Sequence, residues 1–324
     1  MNINVNNQQF SVVDTLEKIT IADSFVVRQN KIGRGNGEAK LYVGQDNTQL
    51  RAFFGDEGFI HRCFLLKTDL LKYLEETKAE YINPEQPYIN KDHLPQLWKE
   101  RKELLLQLPE YIEFEIYEKT DLVGPRIYIY SEEKAYRLIR ELSLPNITFI
   151  SIVKLLDSSH NLVYYFRLFA DYFGEDEHPY QVQEEENEII ESKIAPVQKR
   201  QLIMARLGQG AYRQKLLTEC PFCPITLVSD DRLLIASHIK PWAKSTDFEK
   251  MDSKNGFMFT PTIDRLFDRG FLSFTEDKKT VLSPFLSKMT YSKLGISDNK
   301  LIPHLPVEGR EEYLAYHRTD VLKK

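Results

Sequence analysis

An acidic stretch, residues 172–196, divides the chain into two parts of opposite charge. It contains the runs Glu175-Asp176-Glu177 and Glu184-Glu185-Glu186 and has little apolar periodicity, which is typical of a linker or of an exposed helix surface. Of the 43 Lys and Arg residues and the 48 Asp and Glu residues in the chain, 21 and 15 lie after residue 195. The net charge is therefore −11 before this point and +6 after it.

A chain of 324 residues with 42% hydrophobic residues has room for two domains. We predict a recognition or regulatory domain at 1–170, an acidic linker at 171–195 and a second domain at 196–324. No stretch is apolar enough for a membrane helix, the first ten residues lack the features of a signal peptide, and three cysteines are too few for a secreted disulfide framework. We therefore expect a soluble, cytoplasmic protein with no membrane partner.

The first part of the chain has both helical and extended patterns. Residues 24–27 and 40–43 are short apolar segments, which predict two strands joined by a Gly-rich turn. Residues 65–81 have helical spacing. The segments 147–156 and 162–169 are rich in β-branched and aromatic residues and flank a polar turn, which predicts a hairpin. The first domain is therefore predicted to be mixed α+β.

The Gly-rich turn, residues 33–37, has basic residues around it in an otherwise acidic part of the chain. A flexible cationic loop of this kind can approach a DNA backbone or groove, although an ordinary exposed hairpin has the same composition. The turn is not a phosphate-binding loop, because it lacks the Gly-Lys-Ser/Thr ending and a following helix pattern. The candidate DNA-binding residues here are Arg28, Lys31, Arg34 and Lys40, with Arg51 nearby.

The second part of the chain has the pattern helix, strand, loop, strand and helix. Residues 198–219 are helix-like on both sides of two glycines, whereas 233–239 and 256–262 are short apolar segments that predict strands. Residues 263–270 then have helical spacing and end in a glycine, which is a common helix stop signal.

The last of these predicted helices has two carboxylates on one face. Asp264 and Asp268 are four residues apart, which brings their side chains to the same side of a helix, and Arg265 and Arg269 form a second row beside them. Such carboxylates can bind a cation, or they can pair with neighbouring arginines on a solvated surface. The spacing alone leaves both interpretations open.

Three ordered motifs follow one another in this part of the chain. They are Ala236-Ser237-His238-Ile239-Lys240-Pro241-Trp242, Asn255-Gly256-Phe257-Met258-Phe259 and Asp264-Arg265-Leu266-Phe267-Asp268-Arg269-Gly270. Together they resemble the HNH endonuclease domain, specifically its restriction-endonuclease-like branch, to which the runs 206–213, 223–226 and 313–318 are also similar. The resemblance implies an α+β fold class overall, with a C-terminal ββα-metal (HNH) nuclease domain after the mixed first domain.

The resemblance also implies roles for individual residues in phosphodiester hydrolysis. His238 would be the general base, because the ordinary pKa of imidazole lies nearest neutrality. Asn255 would fix the loop that orients it. Asp264 is the first-choice metal ligand and Asp268 the second, since they stand nine and thirteen residues after Asn255, where the family places ligands on the helix. Carboxylate oxygens favour Mg²⁺ or Mn²⁺ as the cofactor.

The sequence departs from the commonest pattern of the family at two positions. Ser237 stands where an acidic residue or a histidine often precedes the base, and an aspartate replaces the last histidine of the pattern. A missing ligand can come from elsewhere in the chain. The same lack of a ligand is also expected of a non-catalytic nucleic-acid-binding protein with an HNH-like fold.

Cys220 and Cys223 have the C-x-x-C spacing of half a structural zinc site. A closed Zn²⁺ site needs about four ligands, and no second C-x-x-C follows. His304 and His317 would complete it only by a coincidence of folding. A pair of reduced thiols is therefore favoured over structural Zn²⁺.

These observations predict a metal-dependent DNA endonuclease of the restriction or anti-phage defence type, with DNA recognition by the first domain. Lys240, Arg265 and Arg269 would hold the backbone of double-stranded DNA next to the base. If each chain has one cleavage site, a homodimer is the simplest assembly that can cut both strands. The alternatives are the non-catalytic binding protein and an effector nuclease that a small signal activates through the first domain.

Overall fold

A computed structural model of the protein describes residues 2–6, 8–120, 124–172, 178–208 and 210–324. The chain forms two compact units, which are Met1–Tyr180 with Phe285–Lys288, and Gln181–Pro284 with Met289–Lys324. Both units contain helices and strands, so the predicted α+β class is confirmed. Across the described ranges, no helix has the length and apolar character needed to cross a bilayer.

The first unit is built on an eight-stranded mixed sheet. Its strands are β1 (Asn2–Val5), β2 (Gln8–Thr20), β3 (Leu41–Gln45), β4 (Ile60–Leu66), β5 (Tyr111–Glu118), β6 (Arg126–Tyr130), β7 (Thr148–Leu156) and β8 (Leu162–Ala170). The order across the sheet is β1-β2-β7-β8-β4-β5-β6-β3, with β4 and β8 parallel and the other neighbours antiparallel. The predicted hairpin is confirmed, because β7 and β8 pair along their whole length.

Helices of the first unit share one apolar core with this sheet. They are α1 (Thr48–Phe54), α2 (Lys67–Glu76), α3 (Lys78–Ile82), α4 (Leu94–Gln107) and α5 (Lys134–Leu142). The buried positions 135, 138, 139 and 142 of α5 have the spacing that places side chains on one helix face. The helix predicted over 65–81 is present from Lys67 onward and is interrupted at Thr77.

Residues 24–27 do not form the predicted strand but a turn. Phe25 is buried in the core, and its ring meets that of Tyr136 edge to face at 5.7 Å. A short apolar run suits a buried turn as well as a strand, so the pattern alone could not separate the two. The second predicted segment, 40–43, does contain the start of β3.

The rest of the chain contains short helices and strands. In chain order they are α6 (Pro179–Glu191), α7 (Pro196–Arg206), α8 (Ala211–Glu219), β9 (Ile235–His238), β10 (Gly256–Phe259), α9 (Pro261–Asp268), β11 (Leu272–Phe274), β12 (Thr280–Leu282), α10 (Lys288–Lys293) and α11 (Glu311–Tyr316), before a π-helical turn at His317–Val321. Helices α7 and α8 confirm the helical pattern predicted on both sides of the two glycines.

Helix α6 lies in the stretch that is predicted as an acidic linker. Ile189 is buried, whereas Glu184 and Glu188 are exposed, so these two glutamates lie on the outer side of a helix. The boundary between the two units falls at Tyr180, within the same stretch. Residues 173–177, which include the first acidic run, lie outside the described residues, and the division at 171–195 stays a prediction.

Strands β9 and β10 form an antiparallel hairpin that leads directly into α9. His238 pairs with Gly256, and Ser237 pairs with Phe257. Because neighbouring residues of a strand face opposite sides, His238 and Gly256 face α8 while Ser237 and Phe257 face α9. On the α9 side, the ring of Phe267 packs edge to face against Phe257 at 6.0 Å. This is the predicted ββα arrangement.

Helix α9 ends in a Schellman motif. The N–H of Phe271 donates to the carbonyl of Leu266 at 2.8 Å, and the N–H of Gly270 donates to that of Phe267 at 2.9 Å. Gly270 has a φ of +64°, and a Cβ there would lie 2.2 Å from the carbonyl oxygen of Val321. Glycine is therefore required both for the backbone conformation and for the close approach of the chain.

Gly270→Ala should destabilise the fold more than Gly295→Ala. Gly295 follows α10 with a φ of +70° and open space at its Cβ position, so alanine there costs only left-handed strain of about 1 kcal/mol. The overlap with Val321 should add at least ~2 kcal/mol at Gly270. Chemical denaturation of both variants measures the difference, and equal losses would contradict the steric argument.

Candidate active site

Asn255 is fully buried immediately before β10 and closes the loop that follows β9. Its Oδ1 accepts a hydrogen bond from the Lys240 N–H at 2.7 Å. Its Nδ2, which has two hydrogens to donate, lies within hydrogen-bonding distance of three acceptors: the carbonyls of Lys240 at 3.3 Å and Glu249 at 3.1 Å, and the Ser245 hydroxyl at 3.2 Å. A single amide group therefore holds both ends of the loop 240–249 to the strand pair.

His238 is the last residue of β9, and its ring packs between aromatic side chains. The ring stacks on Tyr212, with centroids 4.3 Å apart and planes at 8°, and meets Trp242 edge to face at 5.7 Å. Nε2 lies 3.1 Å from the carbonyl oxygen of Lys250. Because a carbonyl only accepts, Nε2 carries the proton and Nδ1 keeps its lone pair. Burial lowers the pKa of His238 to about 4 despite the hydrogen bond to Lys250, so the ring is neutral at pH 7.

Asp264 and Asp268 both lie on α9, as the sequence predicts. Asp264 is in the first turn and half-buried, and Asp268 follows one turn later and is exposed. Oδ1 of Asp268 accepts a hydrogen bond from the Ser237 hydroxyl at 3.1 Å, which ties α9 to the residue next to His238. Asp268 therefore approaches the end of β9 from one face and the imidazole of His238 lies on the other.

Residues 223–275 match the family model described as HNH endonuclease. The C-terminal part of the chain contains an HNH endonuclease domain. The matched segment includes β9, β10 and α9, and with them His238, Asn255 and both aspartates. The match supports a nuclease that acts on nucleic acid. Among curated proteins, no match to the chain is found.

Two charged residues outside the matched segment support the HNH strand pair. Arg310 is 1% exposed, and its guanidinium donates to the carbonyls of Gly256 at 3.0 Å and Ser253 at 3.2 Å, and to the Glu219 carboxylate at 3.1 Å. Burial acts to raise the pKa of Glu219, but hydrogen bonds from Lys254, Ser253 and Arg310 lower it to about 2. The segment that contains Asn255 is thus held by a buried arginine that pairs with an exposed carboxylate.

No sequence pattern considered above predicts the roles of these supporting residues. Glu219 and Arg310 are 91 residues apart, so no local spacing pairs them. Tyr212, which stacks on His238, lies in the run 206–213 that resembles the family. That resemblance is the signal that could have assigned it to the site.

The basic residues predicted to bind DNA in the HNH domain have different surroundings. Nζ of Lys240 lies 2.8 Å from both carboxylate oxygens of Glu249, which joins the two ends of the loop that Asn255 closes. The hydrogen bond from Lys240 is the main cause that lowers the pKa of Glu249. Arg265 is exposed on α9, and Arg269 is half-buried at its end.

Lys31 is not available to bind DNA, which corrects one of the predicted residues of the first unit. It is 4% exposed, and its ammonium pairs with Asp23 at 3.4 Å. The same carboxylate accepts hydrogen bonds from the backbone N–H groups of Ile32 and Gly33. Lys31 therefore helps to anchor the Gly-rich turn from inside, which composition could not show.

The other basic residues near the Gly-rich turn fall into two groups. Lys40 pairs with Glu38 at 3.2 Å, and Arg51 bonds to two carboxylates at distances of 2.6–3.0 Å. Arg28 and Arg34 are exposed. The two arginines are thus the better placed of these residues to reach a nucleic acid.

Cys220 and Cys223 are buried free thiols, and burial raises the pKa of Cys220. His317, which the sequence offers as a zinc ligand, is buried with Nδ1 2.9 Å from the Ser273 hydroxyl and Nε2 3.2 Å from the Phe267 carbonyl. Both of its ring nitrogens are thus engaged. In the part of the chain that the structure describes, no group of three or more His, Cys, Asp or Glu side chains is placed to hold a metal ion.

Proposed function

We propose that the protein is a metal-dependent DNA endonuclease in which His238 activates the attacking water. The observation that carries this proposal is the hydrogen bond between Nε2 of His238 and the Lys250 carbonyl, because it leaves a lone pair on Nδ1. A general base must be unprotonated before it acts, and burial keeps this imidazole neutral. The HNH match supplies the reaction class.

The other residues of the site have supporting roles in this reaction. As Nδ1 of His238 takes a proton from water, the oxygen attacks phosphorus and the bond to the leaving oxygen breaks. Asn255 keeps the loop 240–249 in place. Lys250, whose carbonyl accepts the hydrogen bond from His238, directly follows that loop. Arg265, which is exposed on α9, would provide positive charge near the DNA backbone together with Arg269 and Lys240.

A divalent cation fits the two carboxylates of α9. Asp264 and Asp268 lie one turn apart on the helix, and Mg²⁺ is commonly held by one or two carboxylates together with water and substrate phosphate. The Ser237 hydroxyl orients one of these carboxylates. When bound there, Mg²⁺ or Mn²⁺ would neutralise the charge that develops on the phosphate oxygens.

We further propose that the first unit recognises double-stranded DNA, as in a restriction or anti-phage defence enzyme of the cytoplasm. In support, Arg28 and Arg34 are exposed although the part of the chain before residue 196 has a net charge of −11. A homodimer would provide one HNH site for each strand. This assembly is the simplest that cuts both strands with one site per chain.

His238→Ala should lower the cleavage rate by about 10²–10⁴-fold while DNA binding persists, because it removes the general base. Nicking of supercoiled plasmid in Mg²⁺ measures the rate. The wild-type rate should be lost as the pH falls through about 4, where His238 becomes protonated in the folded protein. His304→Ala is the matched control, since His304 is exposed in the same unit. A His238→Ala protein that cuts at the wild-type rate would refute the assignment.

Asp264→Asn and Asp268→Asn should each raise the Mg²⁺ concentration needed for half-maximal cleavage by at least ~10-fold, because each removes a charged ligand. Ser237→Ala removes a hydrogen bond to Asp268 but keeps both carboxylates, so its effect should be smaller. EDTA should abolish cleavage, and Mg²⁺ or Mn²⁺ should restore it. Activity in EDTA, or an unchanged Mg²⁺ requirement in both Asn variants, would argue against this metal site.

The double variant Arg28→Ala/Arg34→Ala should bind DNA more weakly and reduce the log-log salt slope by about two units, one for each lost phosphate contact. Fluorescence anisotropy with a labelled duplex across a KCl series measures both quantities. Lys134→Ala/Arg137→Ala is the control, because it removes two exposed positive charges from α5 of the same unit. Equal effects of the two double variants would exclude a specific contact at the Gly-rich turn.

A further inference from the structure

Tyr212 of α8 lies against both the candidate base and the segment that precedes β10. Its side chain is fully buried. The ring is stacked on the imidazole of His238 at a centroid distance of 4.3 Å, and the hydroxyl donates to the carbonyl of Asn255 at 3.1 Å. Tyr212 therefore contacts the imidazole directly and the residue that closes the active-site loop at the same time.

The close approach of Tyr212 depends on the residue that pairs with His238 in the hairpin. That residue is Gly256, and a Cβ there would lie 2.1 Å from the Tyr212 hydroxyl oxygen. Any side chain at this position would push the tyrosine away from the strand pair. The glycine of the second HNH motif thus provides the space in which the tyrosine reaches the Asn255 carbonyl.

The imidazole needs a second restraint besides its hydrogen bond. One bond from Nε2 to the Lys250 carbonyl fixes a single point of the ring, which can still tilt about that contact. A flat ring stacked at 8° on its face fixes the plane, and with it the direction of the Nδ1 lone pair. Small errors in the direction of a general base lower the rate of the chemical step rather than the affinity for substrate, because they matter only in the transition state.

We propose that Tyr212, which lies outside the matched HNH segment, is a positioning residue that sets the plane of the His238 imidazole. The inference rests on the proposed role of His238 as general base. It makes α8 part of the nuclease site, so the site extends beyond residues 223–275 on its N-terminal side. The stacked aromatic ring carries the effect, and the hydroxyl adds a smaller contribution through Asn255.

Two substitutions of Tyr212 separate the ring from the hydroxyl. Tyr212→Leu removes the stacked ring and should lower kcat for plasmid nicking by about 10²-fold with KM within about threefold. Tyr212→Phe keeps the ring and loses only the hydrogen bond to Asn255, so its loss in kcat should stay below about tenfold. Leu202→Ala, a cavity variant on the neighbouring helix α7, controls for lowered stability, because it should lower Tm without a comparable loss of kcat.

NMR spectroscopy measures the stacking of the imidazole on Tyr212 independently of DNA cleavage. The ring C–H protons of His238, assigned by their absence in His238→Ala, should be shifted upfield by the tyrosine ring in the NMR spectrum. They should keep this shift in Tyr212→Phe and lose it in Tyr212→Leu. The Leu202→Ala spectrum should match the wild type at these resonances.

The possible outcomes separate this inference from the proposed function. If His238→Ala is inactive but Tyr212→Leu retains wild-type kcat, or if Tyr212→Phe and Tyr212→Leu lose equal amounts of kcat, Tyr212 is not a positioning residue and the proposed function stands. If His238→Ala cuts normally, the proposed function fails. In that case the NMR shifts of the His238 ring protons alone test whether Tyr212 sets the plane of the imidazole. Unchanged shifts in Tyr212→Leu would overturn this inference.

Discussion

The hydrogen bonds of one buried amide, that of Asn255, hold the surroundings of the candidate base together. Buried peptide groups need partners, and this side chain supplies an acceptor for one N–H and donors for two carbonyls of the loop 240–249. A carboxylate of the same shape could accept but not donate, so aspartate would leave the carbonyls unpaired. Lys250, whose carbonyl orients His238, directly follows this loop, and the direction of the imidazole therefore depends on the amide.

The segment that contains the amide is itself held by charges elsewhere in the unit. Arg310 is stable in its buried position because carbonyl oxygens and the exposed Glu219 carboxylate together surround its guanidinium, so removal of these acceptors would leave a buried charge unpaired. Neither Glu219 nor Arg310 lies in the matched HNH segment. The ββα hairpin is therefore not self-sufficient, and its geometry depends on α8 and on the turn before α11.

Local patterns were enough to predict the two short strands and the helix that carries the two aspartates, whereas the ββα arrangement and the role of Asn255 were expected only from the family resemblance. The alternation of residues in a strand and the spacing of side chains on a helix are short-range properties, so they are visible in the sequence. The burial of Lys31 against Asp23 and the network of Arg310 with Glu219 arise from tertiary contacts that no spacing encodes. The turn at 24–27 differs from the predicted strand for a similar reason, because the core can bury apolar residues in either conformation.

The alternation of side chains along β9 separates the two halves of the candidate chemistry. His238 is supported from the side of α8, whereas Ser237 donates a hydrogen bond to Asp268 of α9 on the other side. Under the proposed function, substitutions on α9 can therefore alter the choice of cation while the packing of the imidazole stays the same. Such independence would allow the metal preference to drift during evolution without the loss of the base, and it would also allow an inactive binding protein to arise by changes on one face alone.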